Sequence, residues 1–360
     1  MGKFFFKNRW YLLGILLVCK MNLFAQDPSY AQFYAQRIYL NPGSTGSESG
    51  LNIAAVSRYQ WGAIPGGFTT YGVALDVRST RLSSGVGFMV MQNREAKIVN
   101  TTQVMGAYSY IIKLSKTVNL NVGLAGSFVN KNLDPSKLIF SDQIDPIIGV
   151  TDGTGAQLIR QKINYFDLDA GALLKFGWTY RKMKYHNVVG FATHHLTSPV
   201  VSFENIETKL PIRYTVHYGG MFPMNFSAKK KKSMFYLSPV FKFDYQAGLK
   251  ELTYGFFNSY DPIYIGLFYK HNTFFTNKNT RTLIFTGGYN GYMGENLNYI
   301  VGYSYDFNMS GLGTKSRGVH EVTLRMTFPE VELLKSALKS RGSKPQKCYD
   351  FGGKNSIRLF

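Results

Sequence analysis

The feature that most constrains this chain is a relay of about fourteen segments, each roughly ten residues long, in which apolar and small or polar residues alternate with period two. Val118, Leu120, Val122, Leu124 and Phe128 alternate with Asn119, Asn121, Gly123, Ala125 and Ser127. A strand built from them has one greasy face and one that admits water. Lipid outside and a wet lumen inside is the arrangement this pattern fits. Strands cross a bilayer only in a closed barrel, because an open sheet would leave its edge hydrogen-bonding groups unsatisfied in hydrocarbon. The expected fold is all-β: a transmembrane antiparallel outer-membrane β-barrel of about 14 strands, with a short periplasmic C-terminal tail.

The flanks fit an exported chain. Lys3, Lys7 and Arg9 precede the apolar run Tyr11 to Val18, and Ala25 stands before Gln26 and Asp27. That is the layout of a signal peptide over 1–25, and the run is too short to span as a helix. Cys19 raises an acylated lipoprotein as an alternative, against which stands the bulk of Val18 before it. From Leu51 to Phe328 neither linker nor composition shift interrupts the alternation. The domains are therefore a periplasmic N-terminal segment over 26–50, a barrel over 51–328 and a basic periplasmic tail over 329–360. In the tail Pro329, Glu330, Val331, Leu334 and Leu338 recur at helical spacing beside Lys335, Lys339 and Arg341, the pattern of a short amphipathic helix. Phe360 ends the chain with an aromatic residue, although Phe328 closes the last strand better.

The expected strands lie near Leu51 to Trp61, Phe68 to Val77, Gly85 to Gln92, Thr101 to Lys113, Val118 to Val129, Ile163 to Phe176 and Asn187 to His194. Seven more lie near Pro211 to Phe222, Met234 to Tyr245, Glu251 to Phe257, Pro262 to Lys270, Arg281 to Tyr289, Leu297 to Asn308 and Gly318 to Phe328. Counting from the periplasm, the two longest connections, Asn130 to Gln161 and His195 to Leu210, fall outside. Ser79 to Ser83, Leu114 to Thr117 and Ser259 to Asp261 make short periplasmic turns, the asymmetry of outer-membrane barrels. Tyr299, Tyr303, Tyr305 and Phe307 share one strand face opposite Ile300, Gly302, Ser304, Asp306 and Asn308. Tyrosine suits the membrane interface, ring in lipid and hydroxyl in water. A soluble sandwich or propeller shares the alternation but does not call for such an aromatic belt.

The formal charge is +20, and removing Lys3, Lys7, Arg9 and Lys20 with the signal takes it to +16. In an exported chain that excess speaks for lipid headgroups, lumen lining or acidic partners, with no nucleic acid. Cys348 is the one cysteine left once Cys19 departs, so no disulfide braces the mature protein.

Candidate chemistry is thin. His194 and His195 are neighbours among six histidines, but neighbours on a strand point to opposite faces, so one leaves any site the other joins. Asp167 and Asp169 share a face with Lys175, and lumen charges pairing across the barrel account for them better than acid and base roles. Asp142, Asp145, Asp152 and Gly153 lack the spacing of an EF-hand. Lys229 to Lys232 read as a solvated turn cluster. No phosphate loop or nucleophile elbow appears. The expectation is no enzyme, no catalytic or metal residues and no cofactor.

Between signal and first strand stand Asp27, Pro28, Gln32, Phe33, Asn41, Pro42 and Gly46. Asn41 before Pro42 is held extended, and Gly43 and Gly46 permit tight bends. Arg58, Gln60, Trp61, Pro65 and Gly66 follow, ahead of Phe68, Tyr71 and Asp76. The order resembles the start of the PorP/SprF family of Bacteroidota outer-membrane proteins, with Gly43 where the family has alanine. The resemblance implies a role in the type IX secretion system and, in gliding members, in secreting or displaying surface adhesins. Its implied partners are a secreted cargo protein, held through its C-terminal secretion domain, and the system's periplasmic and outer-membrane components. The functional expectation is a non-enzymatic outer-membrane barrel, in contact with membrane lipid, that assists secretion and surface retention of cargo. The competing expectation is a passive channel for hydrophobic or anionic solutes, with Lys175, Lys242 and Lys270 lining the lumen.

Overall fold

In the computed structural model, fourteen strands form one closed antiparallel barrel. It describes residues 27–329 and 331, apart from 140, 146, 152–159, 182, 204–206, 225–234, 274–279, 295 and 310–312. The signal region, Asp152, Gly153, Lys229 to Lys232, the tail beyond 331, Cys348 and Phe360 lie outside the described residues.

The strands are β1 (Leu51–Gln60), β2 (Phe68–Ser79), β3 (Ser84–Glu95), β4 (Val99–Lys113), β5 (Val118–Leu133), β6 (Lys162–Tyr180) and β7 (Met183–His194). They continue as β8 (Arg213–Met224), β9 (Phe235–Gln246), β10 (Leu249–Tyr260), β11 (Ile263–Thr273), β12 (Thr280–Met293), β13 (Leu297–Asn308) and β14 (Val319–Phe328). Each pairs with its sequence neighbour, and β14 returns to β1 with Leu51 opposite Phe328 and Gln60 opposite Val319. The wall therefore has no free edge to satisfy in lipid.

The faces sort as the alternation demands. On β5 Val122, Leu124 and Phe128 point outward and are 45%, 63% and 40% exposed, while Asn121, Ala125 and Ser127 are buried inside. Large apolar residues outside and small or polar ones inside invert a soluble protein and match a lipid-facing wall. No helix among the described residues is long and apolar enough to cross a membrane; the strands do so instead.

Several expected boundaries move. β5 runs to Leu133 and β6 to Tyr180, so the wall between them is taller than the alternation alone suggests. Ser259 and Tyr260 belong to β10, which leaves Asp261 and Pro262 as its turn. The connection from β9 to β10 shrinks to Ala247 and Gly248, both in the left-handed region at φ 49° and 82°. Two residues of positive φ match the twist of a two-residue hairpin. The long outer connection carries its own small hairpin, Ile144–Asp145 paired with Gly149–Val150. Asp145 caps it, accepting from the backbone N–H groups of Ile147 and Ile148 at 2.7 and 2.9 Å.

The largest departure concerns the lumen. Residues 27–50, expected in the periplasm, run through the inside of the barrel as a plug. A helical turn, α1 (Arg37–Leu40), and a 3-10 turn (Pro42–Ser44) are its only regular elements. On one side Ala31, Phe33, Tyr34 and Leu40 pack with Val240, Phe257, Tyr264, Phe268 and Ile284. On the other, Tyr30 and Ile38 pack with Val56, Met89, Met91 and Met105. The hydrophobic core sits inside the barrel, where water was expected. The plug's apolar side chains remove those inward methionines and aromatics from water, which is favourable in proportion to the area covered.

Candidate functional site

The plug and its sockets in the wall form the most highly organised polar site of the described molecule. It descends from the outer mouth, where Asp27 meets the ends of β7 and β8, to the periplasmic end, where Gly50 meets β2. Three anchors hold it.

At the periplasmic end Gly46, at φ 60°, donates its N–H to Asp76 at 2.9 Å. Glu48 pairs with Arg37 of the plug at 2.6 Å and with Arg325 of β14 at 3.4 Å. Lys175 donates to the Ser47 carbonyl at 3.1 Å. The charges of Asp76, Glu48, Arg37 and Arg325 thus compensate one another within one layer, with Lys175 hydrogen-bonded beside them, as buried charges require.

The middle anchor crosses the seam between first and last strands. Glu321 of β14 is fully buried and accepts from the backbone N–H groups of Ala31 and Gln32 at 2.9 and 2.7 Å. It also pairs with Arg58 of β1 at 2.8 Å, and Arg58 reaches Asp306 of β13 at 3.2 Å. The Gln32 amide accepts from Thr323 at 2.8 Å and donates to the Glu321 carbonyl at 3.3 Å. Deeper in, Asn41 caps the 3-10 turn by accepting from Gly43 N–H at 2.8 Å. Its amide nitrogen lies 3.0 Å from the Ala172 carbonyl, 3.2 Å from that of Phe191 and 3.1 Å from His217 Nε2. One carboxamide thereby bridges three strands. Gly123 and Gly171 make the seat, because a Cβ on either would collide with Pro42 or Asn41. At Gly43 a Cβ would lie 3.0 to 3.2 Å from Asn41 Oδ1 and two wall carbonyls, so alanine there needs a small shift.

At the outer mouth Asp27 pairs with His195 Nε2 at 2.7 Å and with Arg213 at 2.9 Å. His195 Nδ1 pairs with Asp167 at 2.5 Å, and Thr197 donates to the same carboxylate at 2.7 Å. Beside them Ser29 donates to Glu251 at 2.8 Å, and Glu251 pairs with Lys242 and Lys270 at 3.0 and 2.7 Å. Burial disfavours the charged imidazolium of His195, but Asp27 and Asp167 outweigh it and push the group up to about 10. Burial likewise opposes the Asp27 carboxylate, yet His195 and Arg213 hold it far below the usual range.

His195 corrects the reading of the histidine pair. It stands just past β7 at φ 62°, and this left-handed residue breaks the strand's alternation. His194 and His195 therefore both engage the mouth, His194 facing Asp169 at 3.4 Å. Asp167, Asp169 and His195 are close enough to hold a metal. Both nitrogens of His195 already serve carboxylates and the ring is held protonated, which leaves no lone pair for a cation.

The anticipated motif residues divide three ways. Asp27, Gln32, Asn41 and Gly46 are the plug's anchors, Phe33 joins its apolar side and Arg58 is the facing socket. Pro28 accepts from Tyr39 at 2.9 Å, and Pro42 opens the 3-10 turn. Gln60, Trp61, Pro65 and Gly66 lie at the outer β1–β2 turn, where Trp61 N–H donates to the Gly318 carbonyl at 3.0 Å. Asp76, which closes the stretch of resemblance, receives the Gly46 N–H, whereas Glu48, Glu251 and Glu321 were missed. For Glu251 and Glu321 the available signal was a carboxylate at an inward position of a wall strand, which demands a buried partner; Glu48, in the plug, carried no such signal.

The model of the family described as type IX secretion system membrane protein PorP/SprF matches residues 22–326. The chain belongs to this family. Membership spans plug and barrel together, and with the lipid-facing wall it makes the protein an outer-membrane barrel of the type IX secretion system. No curated protein matches the sequence. Solved structures with a similar course include a Pseudomonas aeruginosa FadL homologue, at TM-score 0.40 and 12% identity over 82% of this chain and 94% of that one. Another is the CymD monoaromatic hydrocarbon channel, at 0.41 and 10% over 82% and 92%. A third is the COG4313 outer membrane channel from Pseudomonas putida F1, at 0.39 and 10% over 78% and 95%. At these scores the family's architecture rests on the strand pairing of this chain itself.

Proposed function

We propose that this barrel is a non-enzymatic holder of secreted cargo: its outer loops bind the cargo's C-terminal secretion domain, assisting secretion and surface retention, including of gliding adhesins. The observation that carries the reading is the filled lumen. With residues 27–50 packed against both sides of the wall, the large surfaces left to a protein partner on the outside are the connections 134–161 and 195–212.

The same observation weighs against a solute channel. Lys242 and Lys270, which would select anions, are paired with Glu251, and Lys175 is engaged by the plug. A paired cation offers a passing anion little net field.

The test replaces 138–158 and 199–208 with short Gly-Ser turns, sparing His195 and Thr197. The barrel should stay folded and plugged while surface display of cargo is lost; unchanged display would sink the reading. Single-channel recording of the intact protein should find it nearly silent, and a steady open conductance would put the channel reading ahead.

A further inference from the structure

On the outside of the barrel, the upper wall of β3 to β6 carries a ladder of side-chain amides. Asn93, Gln103, Lys131 and Tyr165 line a cavity within the lumen, so by alternation Gln92, Asn100, Asn130, Asn132 and Asn164 face out. Register sets Gln92, Thr102, Asn130 and Asn164 in one row, with Arg94, Asn100, Asn132 and Lys162 in the row nearer the outer end. Asn132 donates to Asn130 at 2.8 Å, Asn130 to Asn164 at 2.5 Å and Gln92 to Asn100 at 3.3 Å. Tyr71, a residue suited to the membrane interface, stands opposite Gln92. Asparagine is depleted from strands, so four of them on three adjoining strands answer to something besides sheet formation.

Two further observations point to an occupant. Arg94 and Lys162 end the second row; both are exposed, and neither forms an ion pair among the described residues. The outward positions of β2 to β6 hold no Asp or Glu. Three strand spacings put the two cations roughly 14 Å apart. Directly below the amides the wall turns apolar, with the rings of Phe128 and Phe166 5.1 Å apart. Gly106 and Gly126 come next, side by side between Phe88 and Leu168. A Cβ on Gly106 would meet nothing within 4 Å, and one on Gly126 only Leu168 at 3.7 Å. The lipid face is therefore recessed there by two strand widths.

Water would satisfy the amides and cations but gives no reason for an apolar recess beneath them. A phospholipid headgroup brings one phosphate and few hydroxyls, whereas a phosphorylated disaccharide brings anions at both ends with hydroxyls between. Amides offer donors and acceptors to hydroxyls, and basic side chains at a bilayer surface hold lipid phosphates. We infer that the outer wall of β3 to β6 binds one phosphorylated glycolipid of the outer leaflet. Its phosphates meet Arg94 and Lys162, its sugar hydroxyls the amides, and an acyl chain lies over Gly106 and Gly126. The site is on the lipid face and stands whether or not the outer loops hold cargo.

The experiment is native mass spectrometry of the full-length protein, delipidated in detergent and titrated with diphosphoryl lipid A or with phosphatidylglycerol. Expected is one lipid A per barrel, bound in preference to phosphatidylglycerol. Arg94→Gln with Lys162→Gln should weaken lipid A binding about tenfold or more, the order expected for two cations at an anionic headgroup. Gly126→Leu, which fills the recess and leaves every charge in place, should weaken it as well. Each variant must still migrate as a heat-modifiable folded barrel. If the charge variant does not, added salt on the parent protein reads the same contacts; if Gly126→Leu does not, Gly106→Leu takes its place. No retained lipid A, equal retention of phosphatidylglycerol, or binding indifferent to charge removal and salt would each overturn the inference. Binding untouched by a filled recess would overturn the placement of the acyl chain and with it the site.

Discussion

The middle and outer anchors of the plug are built from the same chemistry on different supports. Glu321 is gripped by two backbone N–H groups of the plug and by Arg58, on strands that close the barrel. Asp27 is gripped by side chains alone, and His195 belongs to the root of an outer connection, not to a strand. Backbone donors leave their acceptor only if the plug segment itself shifts, whereas a side-chain pair can separate by rotating χ angles. The difference teaches that the plug is held more rigidly in its middle than at the mouth, the end nearest the proposed cargo surface.

The strongest blow to that contrast is Glu321→Ala, which leaves the two buried N–H groups of Ala31 and Gln32 without their acceptor and Arg58 with Asp306 alone. Breaking such a buried pair costs about 3–5 kcal/mol, so the urea midpoint of the detergent-solubilised barrel should fall steeply. A midpoint shift no larger than that of an outer-anchor variant would erase the distinction. Asn41→Leu comes next, at roughly 3 kcal/mol from His217 and the wall carbonyls left without their donor, measured by the same unfolding curve. Asp27→Asn should cost about 1.5 kcal/mol, with a urea midpoint shift smaller than that of either middle-anchor variant and a gain in mobility of a spin label at position 28.

The pH dependence sharpens the comparison further. His195 has a folded-state value of about 10 against an ordinary 6.5, so its contribution is complete below 6.5 and is lost as pH rises through 10. Asp27 is held low, so its contribution is present above its ordinary 3.8 and is lost as pH falls. The label at 28 should stay immobile between those two limits and loosen toward pH 10. Constant mobility across that rise would show that Asp27 is not what fastens the outer end. The smallest effect belongs to Gln60→Ala, a motif residue remote from the plug anchors, whose midpoint should move by less than about 0.5 kcal/mol.

The inward faces were legible wherever alternation ran unbroken, as on β13, where Ser304 and Asp306 point in and Val301 and Tyr303 point out. Alternation stopped being a guide at His195, because one positive φ turns the chain and no local pattern announces it. The plug was illegible for a different reason. Residues 27–50 carry neither period two nor a sustained helical period, and local turn chemistry is the same in a periplasmic linker as in a lumen. The resemblance marked Gln32, Asn41 and Arg58 as a set without saying that Gln32 and Arg58 share Glu321 or that Asn41 bridges β6, β7 and β8.

By itself the sequence determined the strands, their facing and the closed barrel, since side-chain period and edge hydrogen bonding are local properties that a bilayer enforces on every segment alike. Only the tertiary structure decided what fills that barrel. Ala31 finds its acceptor on Glu321, 290 residues away, and Asn41 finds His217 176 residues away. Such pairings depend on the whole wall having closed around the segment, a condition that no window of sequence contains.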